Sequence, residues 1–206
     1  MSKIIQDSTA GQRGPVDHTI RDQIVSAAND HFSQYGYGKT TVSDLAKAIG
    51  FSKAYIYKFF DSKQAIGEAI CTSCLAALTD EVLAATSKGK SATEKLRIFF
   101  KSLVETSVRL FFNDRKLYDI AAHSVQERWA SSGAYCDRLE LIVQEIILEG
   151  RQSGEFERKT PLDETCRAIL YAMEPFTNPV MLQHSLDALP DAPTEVTSLI
   201  LRSLAP

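Results

Sequence analysis

The sequence predicts an all-α protein with a short three-helix head followed by a longer helical body. Three observations predict it. Apolar residues recur three and four positions apart through most of the chain, which is the spacing of one helix face. No alternating β-branched run is long enough for a sheet, and there is no internal repeat. The breaks between apolar stripes carry the residues that stop and start helices, glycine first and then Ser, Thr or Asp.

Residues 1–16 lack periodicity and contain Gly11, Gly14 and Pro15, so they are expected to form a flexible arm. Asp17 can cap a first helix whose apolar stripe is Ile20, Ile24, Ala28, Phe32 and Tyr35. Gly36-Tyr37-Gly38 ends it. Thr41, three residues before Asp44, opens a short second helix with Val42, Leu45, Ala46 and Ile49 on one face. Gly50 and Phe51 form a turn. Ser52 then caps a third helix over 53–59, with Ile56 and Phe59 or Phe60 inward and Lys53, Ala54, Tyr55, Tyr57 and Lys58 outward. Asp61 begins a fourth helix that runs to about Ser87. Ser91 and Glu94 mark the next start, and helices are expected over about 92–112, 115–129 and 133–152. Thr160-Pro161 opens another, with a kink or break at Pro175 and Pro179. A last helix spans roughly 191–204. The expected division is therefore an arm (1–16), a head (17–66) and a body (67–206).

The chain has 206 residues, 44% hydrophobic and 24% charged, an ordinary balance for a globular protein in water. No stretch reaches the roughly 20 uninterrupted apolar residues of a membrane span, and Met1–Asp7 lacks the apolar core of a leader. A cytoplasmic place, away from membranes, is expected. Cys71, Cys74, Cys136 and Cys166 are too scattered for a disulfide framework and read as reduced, packed thiols. Cys71 and Cys74 lie one helical turn apart, a spacing open to metal or redox chemistry, but no second Cys or His pair accompanies them. The formal net charge is −3, unevenly spread: residues 1–65 hold eight Lys and Arg against six Asp and Glu. A mildly basic head on an acidic body permits contact with nucleic acid through one local surface. There is no glycine-rich phosphate loop, nucleophile elbow or His-Glu-x-x-His, so no catalytic residue, cofactor or metal is expected.

Residues 41–60 have the proportions of a helix-turn-helix. A helix entering the major groove presents base-reading residues near its start, while flanking donors hold phosphates. Lys53, Lys58 and Lys63 can neutralise phosphates, Tyr55 and Tyr57 offer hydroxyls and flat rings, and Thr41 and Ser52 stand at helix starts. Spacing alone also fits a packed helical hairpin with a solvated basic face. The order of residues is more specific. Thr40-Thr41, Asp44, Leu45-Ala46, Gly50-Phe51-Ser52, then Tyr57, Phe59 and Lys63 resemble the DNA-binding signature of the TetR family of repressors over about 17–66. The resemblance implies an N-terminal three-helix helix-turn-helix DNA-binding domain and a C-terminal helical domain for ligand binding and dimerisation. It implies phosphate contacts from Thr41, Ser52, Tyr57 and Lys63, with Lys53, Ala54, Tyr55 and Lys58 nearest the bases. The family commonly has Gly where this chain has Ala54, whose methyl can pack on a thymine methyl or hold the helix slightly further out.

The resemblance further implies a repressor that binds a palindromic double-stranded DNA operator as a homodimer and is released by a small effector. Residues 162–204 match the family's dimer helices, with Leu186, Leu189, Val196, Leu199, Ile200 and Leu204 available to cover a partner or their own core. The middle of the chain is rich in aromatic groups, most of them expected in the core. Phe111, Tyr118, His123, Trp129, Tyr171, Glu174 and Asn178 are the candidate contacts to a largely apolar effector. His123, Glu174 and Asn178 would be its polar anchors, although a hydrogen-bonded core histidine fits the sequence equally well. The readings without DNA are a helical scavenger or a protein–protein adaptor, and salt-sensitive binding to a palindrome separates them.

Overall fold

The computed structural model describes residues 15–113 and 117–206. Residues 1–14 of the expected arm lie outside the described residues. Ten helices follow in order among the described residues: α1 Pro15–Tyr35, α2 Val42–Ile49, α3 Lys53–Ile56, α4 Lys63–Thr86 and α5 Ala92–Val108. The rest are α6 Tyr118–Gln126, α7 Ala130–Ser153, α8 Leu162–Thr177, α9 Pro179–Leu182 and α10 Asp191–Ser203. A π-helical turn, Arg109–Asn113, prolongs α5. No strand occurs among the described residues.

Several helix ends differ from expectation for local reasons. The first helix starts at Pro15 rather than Asp17, because proline is tolerated at a first turn whose amides have no intrahelical partner. Tyr35 is not part of the buried stripe: it is 53% exposed and its ring lies 4.5 Å from that of His31. The cap of α4 is Ser62, whose hydroxyl accepts the Ala65 N–H at 3.0 Å, so the helix begins at Lys63. Pro175 sits inside α8 without ending it. The break falls at Asn178, whose side chain accepts the Val180 N–H at 3.0 Å and starts α9.

Two apolar cores are strung along α4. One gathers α1, α2, α3 and the first half of α4 (Ile24, Ala28, Phe32, Leu45, Ile56, Ile66, Ile70). The other gathers the second half of α4 with α5, α7, α8 and α10 (Leu78, Val82, Leu96, Phe99, Phe100, Val143, Ile147, Ile169, Met173). By length and composition α4 could cross a membrane, but Ile66, Ile70, Leu78 and Val82 lie in these cores.

The head core does not stop at the head. Ile120 and Ala121 of α6, with Trp129 just before α7, complete it. Trp129 is 2% exposed and donates from Nε1 to Glu127 at 3.0 Å. Its ring meets Tyr37, from the turn between α1 and α2, edge-on at 5.3 Å, and His123 meets the same tyrosine at 5.2 Å. Gly67 makes this possible: a methyl there would lie 2.7 Å from the Trp129 ring and 3.2 Å from Tyr37. Burial pushes the Tyr37 phenol up to about 12, helped by Glu127, Cys71 and Glu68. The body is tied differently. Glu155 accepts the Ala92 and Thr93 N–H groups at 3.1 and 3.0 Å, capping α5 from the far side of α7, and these bonds hold its carboxyl down at about 2.

Gly67→Ala is therefore expected to destabilise the protein by about 1–3 kcal/mol through overpacking. Gly133→Ala, on α7 with open space around its position, is expected to stabilise it by roughly 0.5–1 kcal/mol. Chemical denaturation of both variants checks the pair. Glu155→Gln should remove roughly 1 kcal/mol or less at neutral pH. Because the folded carboxyl titrates near 2 against an ordinary 4.5, the deficit is complete above about pH 4.5 and vanishes as pH falls through about 2. Denaturation across that range reads it directly.

Candidate functional site

The helix-turn-helix is held by short-range bonds. Thr41 and Asp44 close a reciprocal cap: the Thr41 hydroxyl and N–H donate to the Asp44 carboxylate at 2.7 and 2.9 Å, and the Asp44 N–H returns a bond at 3.2 Å. The same bonds hold the Asp44 carboxyl below its usual range. Gly50 takes a left-handed conformation (φ 77°), and the Phe51 N–H reaches back to the Ala46 carbonyl at 2.9 Å. The Ser52 hydroxyl accepts the Tyr55 N–H at 3.1 Å.

The third helix is shorter than the expected 53–59. After Ile56 the chain tightens into i→i+3 bonds, Lys58 N–H to Tyr55 and Phe59 N–H to Ile56, and both Ile56 and Phe60 enter the head core. Thr41, Ser52, Lys53, Ala54, Tyr57 and Lys58 are exposed on this segment, as expected. Two predicted residues differ. Tyr55 is half-buried, wedged edge-on between Phe51 at 5.1 Å and Phe59 at 5.4 Å. Lys63 is half-buried too, donating to the Tyr37 carbonyl at 2.9 Å with its ammonium 4.2 Å above the Tyr37 ring. Sequence reasoning passes over Lys39, exposed two residues before Thr41, although its charge and position beside the cap were both readable.

A cavity of about 320 Å³ lies in the body, directly behind α6. Its walls come from α4 (Cys71, Cys74, Leu75), the turn after α5 (Leu110, Phe111), α6 (Ile120, Ala121, Ser124, Val125), α7 and α8. Of the predicted effector contacts, Phe111, Tyr171, Glu174 and Asn178 line it. Tyr118, His123 and Trp129 do not. The helical phase of α6 explains His123: positions 120, 121, 124 and 125 face the cavity, which turns 119 and 123 toward the head. Tyr118 donates to Gln183, and Trp129 belongs to the head core. Residues missed by sequence reasoning include Tyr135 on α7 and the Ser124–Ser132 hydroxyl pair, 2.6 Å apart. Their only signal was a polar atom on an apolar face.

Three of the four cysteines, Cys71, Cys74 and Cys136, line the cavity, and all four are free thiols. Burial pushes the Cys71 thiol up to about 12 and raises Cys74 and Cys136 as well, so these groups stay neutral. No grouping of three or more His, Cys, Asp or Glu suited to a metal occurs among the described residues. A second hollow of about 670 Å³, between α5 and α10, contains none of the predicted effector contacts.

The body helices also test the proposed partner-facing residues. Ile200 and Leu204 are buried in the body core, and Leu189 and Val196 pack against it. Leu199 alone of the six is well exposed, at 59%, and on α8 Tyr171 is exposed at 67%.

Comparison with known proteins places both halves of this arrangement. Residues 24–70 match the model of bacterial regulatory proteins of the tetR family, and residues 92–196 match the tetracyclin repressor-like C-terminal domain. The biofilm operon negative transcriptional regulator IcaR of Staphylococcus aureus is 32% identical over 80 residues, 39% of this chain and 43% of IcaR. The match thus spans less than half the length of that relative. Among solved structures, the fatty acid degradation regulator FadR of Bacillus halodurans superposes with a TM-score of 0.65 at 23% identity, covering 93% of this chain and 97% of FadR. RolR in complex with resorcinol superposes with a TM-score of 0.66 at 14% identity, covering 93% of this chain and 90% of RolR. A head capped and turned like a helix-turn-helix, on a helical body matched over more than half the chain, means that this protein belongs to the TetR family.

Proposed function

We propose that the chain is a ligand-responsive, DNA-binding transcriptional repressor rather than an enzyme. In this reading residues 17–66 form the DNA-binding domain and residues 67–206 hold the effector and dimerise. The observation that carries it is the double duty of α6. One face of this helix lines the cavity through Ile120, Ala121, Ser124 and Val125, and the other sets His123 against Tyr37 in the head. Nothing that fills the cavity can move α6 without moving that contact.

The operator is a palindrome in double-stranded DNA, bound by a homodimer through residues 162–204. Tyr171 on α8, Met181 on α9 and Leu199 on α10 are the large exposed apolar groups there. The two recognition segments enter major grooves roughly 34–36 Å apart, or a multiple of that. Lys53, Ala54 and Lys58 face the bases, and Thr41, Ser52 and Tyr57 face phosphates. Tyr55 and Lys63 act mainly by fixing the segment, since both are engaged by the protein itself. An effector that fits one arrangement of α4 and α6 better changes the spacing of the heads and releases the DNA. It is small and largely apolar. The same fold holds resorcinol in RolR. The place of action is the cytoplasm, where the operator lies.

Selection of the purified protein against random duplexes, with a salt titration of the winner, tests this reading. An enriched palindrome with steep salt dependence is expected; a folded protein that enriches nothing at low salt contradicts it. Lys53→Ala and Lys58→Ala should each cost about 1–3 kcal/mol and relax sequence preference at the base they face, and Tyr57→Phe should weaken all duplexes alike by about 1 kcal/mol. Unchanged affinity and sequence preference in all three would remove residues 53–58 from the DNA interface.

A further inference from the structure

The cavity walls are apolar, and their charge leans acidic, three carboxylates against one guanidinium. Four ionisable side chains other than cysteine and tyrosine line it: Asp137 and Glu140 on α7, and Arg167 and Glu174 on α8. The one guanidinium lies 3.7 Å from the Asp163 carboxylate, one turn along α8 and outside the cavity lining. Glu140 and Glu174 are half-buried and meet neutral amides, while Asp137 stands exposed at the rim. Glu174 accepts from the Asn178 amide at 3.3 Å and Glu140 from the Gln144 amide at 3.4 Å. Among the described residues no Lys, Arg or His lies within ion-pair distance of Asp137, Glu140 or Glu174.

The thiol of Cys136 lies on the same wall. Burial raises its pKa, and the Asp137 and Glu174 carboxylates raise it further. Aromatic rings complete the lining, with Tyr135 half-buried and Tyr171 open to solvent. Carboxylates beside ring faces in an apolar hollow suit a cation with a hydrocarbon body, because the rings attract positive charge without hydrating it. An anionic headgroup placed there would face three carboxylates and a single guanidinium that already pairs with Asp163.

We infer that the cavity takes an amphiphilic organic cation, an ammonium group carried on a body about the size of a substituted benzene ring, with Asp137, Glu140 and Glu174 holding the charge. This rests on the reading of the cavity as the effector site and narrows the effector to one chemical class. It depends on nothing in the DNA-contacting segment.

The experiment uses the full chain and three matched probes: 4-phenylbutylammonium, 4-phenylbutanol and 4-phenylbutyrate. Binding is followed by calorimetry and by the fluorescence of Trp129, the single tryptophan. The ammonium probe should bind at least tenfold tighter than the alcohol, and the carboxylate probe more weakly than either. Joint Asp137→Asn, Glu140→Gln and Glu174→Gln changes should erase that preference while alcohol binding persists. Glu174→Gln alone should reduce it in part. Leu170→Trp, which fills the cavity from α8, should abolish binding of all three.

Equal or tighter binding of the alcohol or carboxylate overturns the inference. A cation preference that survives the triple change does so too, as does absence of cation binding at millimolar concentration. Operator binding measured on the same samples keeps the two readings apart. Its loss with the ligand preference intact counts against the repressor alone, and its retention with equal probe affinities counts against the cation alone.

Discussion

Where α4 passes Trp129 there is room for a hydrogen atom and no more. Gly67 supplies it, and the indole then lies across the helix with its edge on Tyr37. The head depends on that seating, because its core is completed by Trp129, Ile120 and Ala121 from the body. A three-helix unit of some fifty residues buries little surface and is only marginally stable alone. Sharing a core with α6 gives it rigidity and removes its independence. The orientation of the DNA-contacting segment is thereby fixed to the helices that wall the cavity.

Magnitudes show why such a joint can carry a signal. Coupling between two ligand sites is typically about 1–3 kcal/mol. An edge-to-face aromatic pair contributes about 0.5–1.5 kcal/mol beyond its burial. Tyr37 makes three such contacts, with Phe32, His123 and Trp129, and a fourth with the Lys63 ammonium. On the proposed reading, loosening one or two of them is comparable in energy to ordinary coupling between two ligand sites. Lys63 is especially placed for this, since it stands at the start of α4 and Cys71, Cys74 and Leu75 of the same helix line the cavity.

What the sequence made legible follows from the range of the forces involved. Caps and turns are local, so Thr41 with Asp44, Gly50 and Ser52 could be read directly and appear in the structure with their bonds formed. Helical periodicity is nearly as local, and it identified the inward faces of α1 and α2. Tertiary contacts are not local. Tyr55 and Lys63 look like free surface groups in sequence, and only the approach of Phe51, Phe59 and Tyr37 shows them engaged. His123 and Trp129 carried the polar and aromatic character of a ligand site, but the phase of α6 turns one away from the cavity and the joint buries the other. Ser124 and Tyr135 gave no comparable signal, because a cavity wall is made of ordinary core residues missing a neighbour. The apolar positions of α10 were ambiguous for a related reason: most of them fill the chain's own core, and sequence alone does not say which core they fill.

The central claim is that occupancy of the cavity reaches the head through α6. Operator affinity of a Ser124→Phe variant tests it most directly, because the ring enters the cavity from α6 itself and needs no knowledge of the effector. With the fold verified by circular dichroism, the account predicts a loss of operator affinity of about tenfold or more, in the range of ordinary allosteric coupling. Operator affinity unchanged in a folded, cavity-filled variant would contradict it.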